Sequence, residues 1–234
     1  LRELTWWLDT YGYHKDVDTS SWASLGLAIL LRPADAEAPR SPQLAPVKVF
    51  HEIGWAAMAD AWPRPTFYAA LKAGDLSAHG SRPDMNSLQL QVDGEMLLAA
   101  PGDDAAFRAR TPQAADLTRP QTPLHNTLQV AESDHVIDAQ GEVLEAQAER
   151  HYRWLAADAG EACGENVRFI RHVVMVVDPA GPRGQMLVVL DDLELGAPER
   201  VDLHWHAAGQ VSLPEGKMSG TIQGARAGLH FAVA

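Results

Sequence analysis

The residues of this sequence best suited to moving a proton are its ten histidines. Two of them, His79 and His125, lie in segments typical of loops, one on each side of a predicted hairpin. An imidazole can accept or donate a proton near neutral pH, and a nearby arginine such as Arg82 can hold a carboxylate through two parallel hydrogen bonds. This combination indicates proton transfer beside an anionic ligand. The alternative is that both histidines only cap backbone groups in their loops.

The remaining polar groups point less clearly to chemistry. His204 and His206 alternate in a strand-like segment, so both lie on one face, but no third metal ligand is close in the sequence and two packed imidazoles are favoured over a zinc site. Asp191 and Asp192 lack the ligand spacing of a calcium loop and are interpreted as a solvated turn. The sequence has no Walker loop, zinc-protease helix motif or serine-hydrolase elbow.

Short strands are the elements that must position these residues. From residue 47 onward apolar and polar residues alternate, and the run 88–98 has an Asp-Gly pair between two such stretches, which is a strong hairpin signal. The pattern recurs at 167–177, 184–190, 201–205, 211–213 and 229–233. About a dozen short strands separated by turn residues predict a mainly β protein, an antiparallel β-sandwich.

One connection interrupts this pattern. Residues 101–124 form a long polar segment that contains Arg108, Arg110 and Arg119. A connection of this length in a compact sheet protein is uncommon and is more often functional than not. The segment therefore predicts a local basic cluster on an otherwise acidic protein.

The first 46 residues differ from the rest. Leucine and tryptophan recur at helical spacing within residues 1–32, which predicts a short helical segment. Two short helices cannot bury so many large apolar side chains between themselves, so we expect the segment to be the end of a larger α-helical domain. Residues 33–46 contain four prolines and are typical of a linker. The sandwich is predicted to occupy residues 47–234.

Composition excludes several classes of partner. The sequence has 19 Lys and Arg against 31 Asp and Glu, a formal charge of −12, and no basic run, so nucleic acid is not an expected partner. No stretch approaches the about 18 apolar residues of a membrane helix, so no membrane partner is expected. The single cysteine, Cys163, excludes an intrachain disulfide and a zinc site built from cysteines.

Five short motifs follow one another between residues 48 and 135. They are GWAAM at 54–58, FYAALKAGD at 67–75, HGSRPDMNSL at 79–88, DGEMLLAAPG at 93–102 and LHNT at 124–127. In this order they resemble the heparinase II/III-like domain of polysaccharide lyases, and the helical start and linker are similar to the end of that family's α-toroid. The resemblance implies a periplasmic or secreted protein whose partner is an acidic polysaccharide cleaved by β-elimination.

The resemblance also implies roles for individual residues. His79 corresponds to the catalytic histidine that the sandwich supplies, and Arg82, His125 and Asn126 are expected to line the substrate cleft. The toroid of such lyases supplies a tyrosine with asparagine or histidine partners. We therefore expect the sandwich to pack against an upstream helical domain and to be inactive without it.

The metal site of the family is not retained. Of the three ligand positions of that site, two are occupied here by Arg82 and Ala100, and only the third, His125, carries the ligand residue of the family. Since one ligand of three cannot hold zinc, we predict no metal and no other cofactor, and the charge of Arg82 is expected near the position of the ion. The lost ligands and the net charge also favour an alternative, a catalytically inactive relative that binds carbohydrate or serves only a structural role.

Overall fold

The computed structural model describes residues 40–77, 81–100, 121–178 and 185–234, together with residues 2, 3, 6, 10 and 38. The chain divides into two compact units, Leu1–Ala45 and Pro46–Ala234. The boundary falls at the end of the predicted proline-rich linker.

In the first unit, residues 2, 3, 6 and 10 are helical. The Arg40 side chain forms an ion pair with Glu3 at 2.8 Å, and the Arg40 backbone N–H donates to the carbonyl oxygen of Arg2. Most of the predicted helical segment 1–32, and part of the linker, lie outside the described residues. Within the described part of the chain, no helix is long and apolar enough to span a membrane.

The second unit contains fourteen described strands, two 3-10 turns and one turn of α-helix. The strands are β1 (Val47–Phe50), β2 (Trp55–Ala59), β3 (Phe67–Lys72), β4 (Ser87–Val92), β5 (Glu95–Leu98), β6 (Leu128–Val130), β7 (Glu142–Ala148), β8 (Tyr152–Asp158), β9 (Val167–Val176), β10 (Met186–Leu195), β11 (Val201–Leu203), β12 (Gln210–Ser212), β13 (Ser219–Gln223) and β14 (Gly228–Ala232). The 3-10 turns are His51–Ile53 and Thr122–Leu124, and the α-helical turn is Gly160–Cys163.

The first sheet is an antiparallel meander in the order β1-β2-β3-β4-β5. Strands β4 and β5 form the hairpin that the sequence predicts. Asp93 and Gly94 join them with φ angles of 48° and 74°. Positive φ at both central residues matches the right-handed twist of the flanking strands. The local sequence therefore fixes this corner of the fold.

The second sheet has the order β10-β9-β8-β7, again antiparallel. Its inward side chains, among them Leu155, Val173 and Met175, pack on inward residues of the first sheet such as Met58 and Leu90. All five of these side chains are fully buried, and the removal of this apolar surface from water is the main force that holds two such layers together. The predicted mainly β fold, an antiparallel β-sandwich, is confirmed.

Two smaller sheets complete the second unit. Strand β11 pairs with β6, and β12, β13 and β14 form a three-stranded sheet that contributes Ile222 to the core. The Glu95 carboxylate accepts hydrogen bonds from the backbone N–H groups of residues 225, 226 and 227, at 2.6, 2.7 and 2.8 Å. These bonds tie the β13–β14 turn to the start of β5.

The acidic pair in β10 corrects one expectation. Asp191 and Asp192 do not form a solvated turn, because β10 continues through them to Leu195. Asp191 lies directly opposite Arg171 on β9, Asp192 lies diagonally opposite Arg168, and each carboxylate receives two hydrogen bonds from its arginine. Opposite charges in cross-strand pairs favour strand pairing, so two consecutive aspartates are accommodated within a strand.

Candidate active site

A cleft of about 750 Å³ opens beside the start of β2, the end of β3 and the start of β4. It is also lined by the segment that follows β3 and by the segment that precedes β6. Its polar walls include Lys72, Asp75, Ser81, Arg82, Asp84 and His125. We call this space the 82/125 cleft. Two loops, 81–86 and 121–127, carry the residues that give the cleft its name.

Two glycines allow the chain to build one wall of this cleft. Gly54 enters β2 with φ at +59°, and a Cβ at this position would lie 2.0 Å from the Cα of Gly74. A Cβ at Gly74 would lie 2.4 Å from the carbonyl oxygen of Ile53. The Ala73 N–H donates to the carbonyl oxygen of Gly54 at 2.7 Å. Only glycine permits such a close backbone approach at both positions.

His125 closes the 3-10 turn Thr122–Leu124. The residue is 3% exposed, and its Nε2 is buried with no hydrogen-bond partner among the described residues. Burial lowers the pKa of His125 to about 4, and the positive charges of Arg82 and Lys72 act in the same direction. The imidazole is therefore neutral at neutral pH, with one buried ring nitrogen that makes no hydrogen bond within the described protein.

Arg82 and Ala100 line the same cleft as His125. The three positions that the resemblance equates with a metal site therefore come together. A guanidinium, a methyl group and one imidazole do not form a zinc ligand set, so these residues do not fit the metal. Across the described ranges, no group of three His, Cys, Asp or Glu side chains is placed to hold an ion. The absence of a cofactor stays a prediction.

Sequence reasoning missed an ion pair in the wall of the cleft. The Lys72 ammonium bonds the Asp84 carboxylate, and the two side chains are 13% and 14% exposed. Burial raises the pKa of Asp84 above its ordinary value, although the charge of Lys72 opposes this shift. A lysine at the end of the apolar run of β3 was the available signal, since a charge placed there needs a partner.

Asn126 was expected to line the cleft, but the structure places it in the interior. The residue is fully buried. Its side-chain Nδ2 donates to the carbonyl oxygen of Leu88 at 2.8 Å, and its Oδ1 accepts from the His206 N–H at 2.6 Å. Both ends of the amide are therefore used by backbone groups. Asn126 holds loop 121–127 against β4 and makes no contact with the cleft.

His79 lies outside the described residues, as do the three arginines expected in 101–124. Residues on both sides of His79 line the cleft, because Asp75 precedes it and Ser81 follows it. The assignment of His79 as the catalytic histidine stays a prediction.

Other histidines have structural roles. His135 was not singled out by the sequence, yet it is buried, accepts a hydrogen bond at Nδ1 from the Met85 N–H at 3.2 Å, and contacts the Leu128 carbonyl oxygen through Nε2 at 2.9 Å. His206 contacts the Pro123 carbonyl oxygen through Nε2 at 2.7 Å. Both histidines fasten loops around the 82/125 cleft.

Comparison with known proteins places this arrangement in a family. A family model described as "Heparinase II/III-like, C-terminal" matches residues 42–234, which is most of the chain. A search of curated proteins found no match.

Solved structures of low sequence identity share the fold. The chain is similar to a heparinase III, the BT4657 gene product with methylated lysines, with 19% identity and a TM-score of 0.61, over 81% of this chain and 28% of that one. It is also similar to the heparan sulfate lyase HepC from Pedobacter heparinus, with 15% identity and a TM-score of 0.63, over 95% of this chain and 32% of that one. The chain thus spans about a third or less of the length of these structures.

Proposed function

This chain belongs to the heparinase II/III-like family, through its C-terminal domain, and on that premise we propose that it is the β-sandwich part of a polysaccharide lyase. The proposed reaction is β-elimination on a polysaccharide that contains uronic acid. The observation that supports it most strongly is the 82/125 cleft. Its lining includes Arg82, both flanks of the His79 segment and His125, a neutral imidazole whose buried Nε2 has no hydrogen-bond partner among the described residues.

Each of these groups suits one requirement of the reaction. The sugar C5–H becomes acidic only when the adjacent carboxylate is neutralised, which a guanidinium does through two parallel hydrogen bonds. We assign this contact to Arg82, which lines the 82/125 cleft beside His125. A base removes the C5 proton, the C4–C5 double bond forms, the C4–O4 bond breaks, and an acid returns a proton to the departing O4.

We assign the proton transfer at C5 to His79, and a hydrogen bond to the sugar to His125. The uncharged state of His125 suits this role, because a neutral imidazole binds a hydroxyl without a second positive charge beside Arg82. Asn126 acts indirectly, by holding the loop that carries His125. No step in this scheme requires a metal ion.

The proposed site is incomplete within this chain. We propose that a helical domain upstream supplies the remaining acid–base group, that the sandwich packs against it, and that the sandwich alone has no lyase activity. A periplasmic or secreted location accompanies this proposal, since an extracellular polysaccharide is the natural substrate of such an enzyme.

A lyase assay tests the proposal directly. A longer polypeptide that joins this chain to the proposed upstream helical domain is incubated with alginate, heparan sulfate and hyaluronan, and the ultraviolet absorbance of the unsaturated uronate product is recorded. We expect activity on at least one of these substrates and loss of at least about a hundredfold in His79→Ala, in line with the contribution of a general base. His230→Ala, which alters an exposed residue of β14, is the matched control and should retain full activity.

The loss of the family metal ligands at Arg82 and Ala100 favours a second function, carbohydrate binding without turnover. The lyase assay, combined with a binding measurement, distinguishes this second function from the lyase. Binding of an acidic oligosaccharide by the longer polypeptide, with no unsaturated product from any substrate, would reject the lyase and support the inactive relative.

A further inference from the structure

Arg171 is a charged residue in the interior of the sandwich. It lies on β9, where the inward residues Phe169 and Val173 flank it in the alternation, and it is fully buried. Its guanidinium lies near two aromatic rings, with its central carbon 5.4 Å from the ring centre of Phe169 and 5.2 Å from that of Trp205. A buried charge is costly unless it is fully hydrogen-bonded, so its partners indicate its role.

The partners of Arg171 divide into two sets. On one side, Nε and Nη2 donate to the two carboxylate oxygens of Asp191 at 2.7 and 2.8 Å. Asp191 is the cross-strand partner of Arg171 in the β9–β10 register, so this pair fixes the plane of the guanidinium. On the other side, Nη1 donates to two backbone carbonyl oxygens, those of Asn86 and Asn126, each at 2.7 Å.

These two carbonyls belong to the two loops of the 82/125 cleft. Asn86 ends loop 81–86 in a left-handed conformation, with φ at 56°, and Asn126 directly follows His125. A single nitrogen of Arg171 therefore joins the loop of Arg82 to the loop of His125 from behind the cleft. The two loops also bond each other directly, because the Thr122 hydroxyl donates to the Pro83 carbonyl oxygen at 2.9 Å and the Thr127 hydroxyl donates to that of Met85 at 2.6 Å.

We propose that Arg171 is a positioning residue that, together with the two direct hydrogen bonds between the loops, sets the distance between the Arg82 loop and the His125 loop. It is not among the residues that line the 82/125 cleft. Its effect passes through the carbonyls of Asn86 and Asn126, while Asp191 and the two aromatic rings hold the guanidinium in place. The loop coupling stands on contacts alone, and only its consequence for catalysis rests on the proposed lyase function.

Lysine cannot replace arginine in this role. The planar guanidinium presents donors in a fixed fork, so one side can bind a carboxylate bidentately while the other reaches two carbonyls. A lysine ammonium is a single point on a flexible stem. Arg171→Lys therefore keeps the positive charge but loses the fixed arrangement of hydrogen-bond donors.

Arg153 provides a matched control. It is also buried, at 7% exposed, and donates only to backbone carbonyls, those of Ala59, Asp60, Glu149 and Tyr152. These carbonyls lie outside both loops of the 82/125 cleft. Arg153→Lys removes a comparable buried guanidinium and its hydrogen bonds, but it does not alter the contacts of the two loops.

Amide hydrogen exchange in the two variants tests the proposal. Four amides in or directly next to the two loops serve as reporters and are called the loop amides: those of Ser87 and Leu88 at the start of β4, and those of His125 and Thr127. In Arg171→Lys, we expect the loop amides to exchange at least about tenfold faster, while the amides that pair β2 with β3 keep their rates. In Arg153→Lys the four loop amides should keep theirs. Unchanged loop amides in Arg171→Lys, or equal acceleration throughout the sandwich, would overturn the proposal, because the arginine would then act as a general stabiliser or not at all.

The unaltered protein keeps the test decisive if the variants do not fold. When denaturant is added below the unfolding transition, the amides of loops 81–86 and 121–127 should open together as one unit, with the same denaturant dependence. Two loops that open independently would overturn the proposal. Neither readout depends on turnover, so the absence of lyase activity would reject the proposed function and leave the loop coupling to be judged on exchange alone.

Discussion

At the scale of single residues, burial decides what the histidines can do. His125 and His135 are each 3% exposed, and desolvation lowers the pKa of both to about 4. Neither is charged at neutral pH. For His135 this is a structural requirement, because the unprotonated Nδ1 accepts the Met85 N–H. For His125 it leaves an uncharged ring beside Arg82.

These shifts predict how stability depends on pH. The unfolded histidines titrate near 6.5 and the folded ones near 4, so the unfolded state binds more protons in this window and stability falls as the pH falls. The two groups together should lower the free energy of unfolding by several kcal/mol, about 3 kcal/mol each, once the pH is below 4. Denaturant titrations between pH 7 and 4.5 check the upper part of this loss, before most carboxyl groups protonate.

His125→Asn provides the comparison for this prediction. It removes one of the two buried imidazoles and should shrink the pH dependence by roughly half. His230→Gln, at an exposed site, should leave the slope unchanged. A free energy of unfolding that stays flat from pH 7 to 4.5 would show that these rings are not buried in the neutral form.

At the scale of elements, the close backbone approach of Gly54 and Gly74 allows one wall of the 82/125 cleft to form. Gly74→Ala places a Cβ 2.4 Å from a backbone carbonyl oxygen and should destabilise the protein by about 3 kcal/mol or more. Gly216 has φ at +69° with open space around it, so Gly216→Ala carries only the conformational cost, about 1 kcal/mol. Thermal or chemical unfolding of both variants checks the difference, and equal losses would contradict the close approach.

Sequence reasoning succeeds for elements whose signals are local. Alternation and the Asp93–Gly94 turn are sufficient for the β4–β5 hairpin and for the mainly β fold. The sequence-based prediction ended β10 too early, at Leu190, because aspartate is disfavoured in strands. The arginines that bond Asp191 and Asp192 lie on another strand, β9, so a local sequence pattern does not reveal them. The inward position of Arg171 was readable from the alternation of β9, since a charge between Phe169 and Val173 requires a buried partner.

The candidate site was harder to predict, because its contacts join residues that are distant in the sequence. The motif order placed Arg82, Ala100 and His125 in one site, and the structure brings them to one cleft. A sequence does not indicate which side of a loop faces inward, and Asn126 was therefore expected at the cleft surface. In the structure, both ends of its side-chain amide form hydrogen bonds with backbone groups. His135 and the Lys72–Asp84 pair were missed for the same reason.

At the scale of the whole molecule, the sandwich carries the two loops of the 82/125 cleft. The chain spans less than a third of the heparinase III structure and 32% of the HepC structure to which it is similar. Under the proposed function, the sandwich holds Arg82 and His125 at a fixed separation, through Arg171, and an upstream domain completes the active site. Under this proposal, this chain alone binds the ligand at the cleft but does not cleave it.

Titration of this chain with a uronate-containing oligosaccharide, observed on labelled histidine side chains, tests the central claim most directly. The account predicts that the His125 ring signals shift and saturate while those of exposed His230 stay constant, and that Arg82→Gln weakens binding about tenfold to a hundredfold through loss of a charged hydrogen-bond pair. Saturable binding that leaves His125 unperturbed and is unaffected by Arg82→Gln would contradict it.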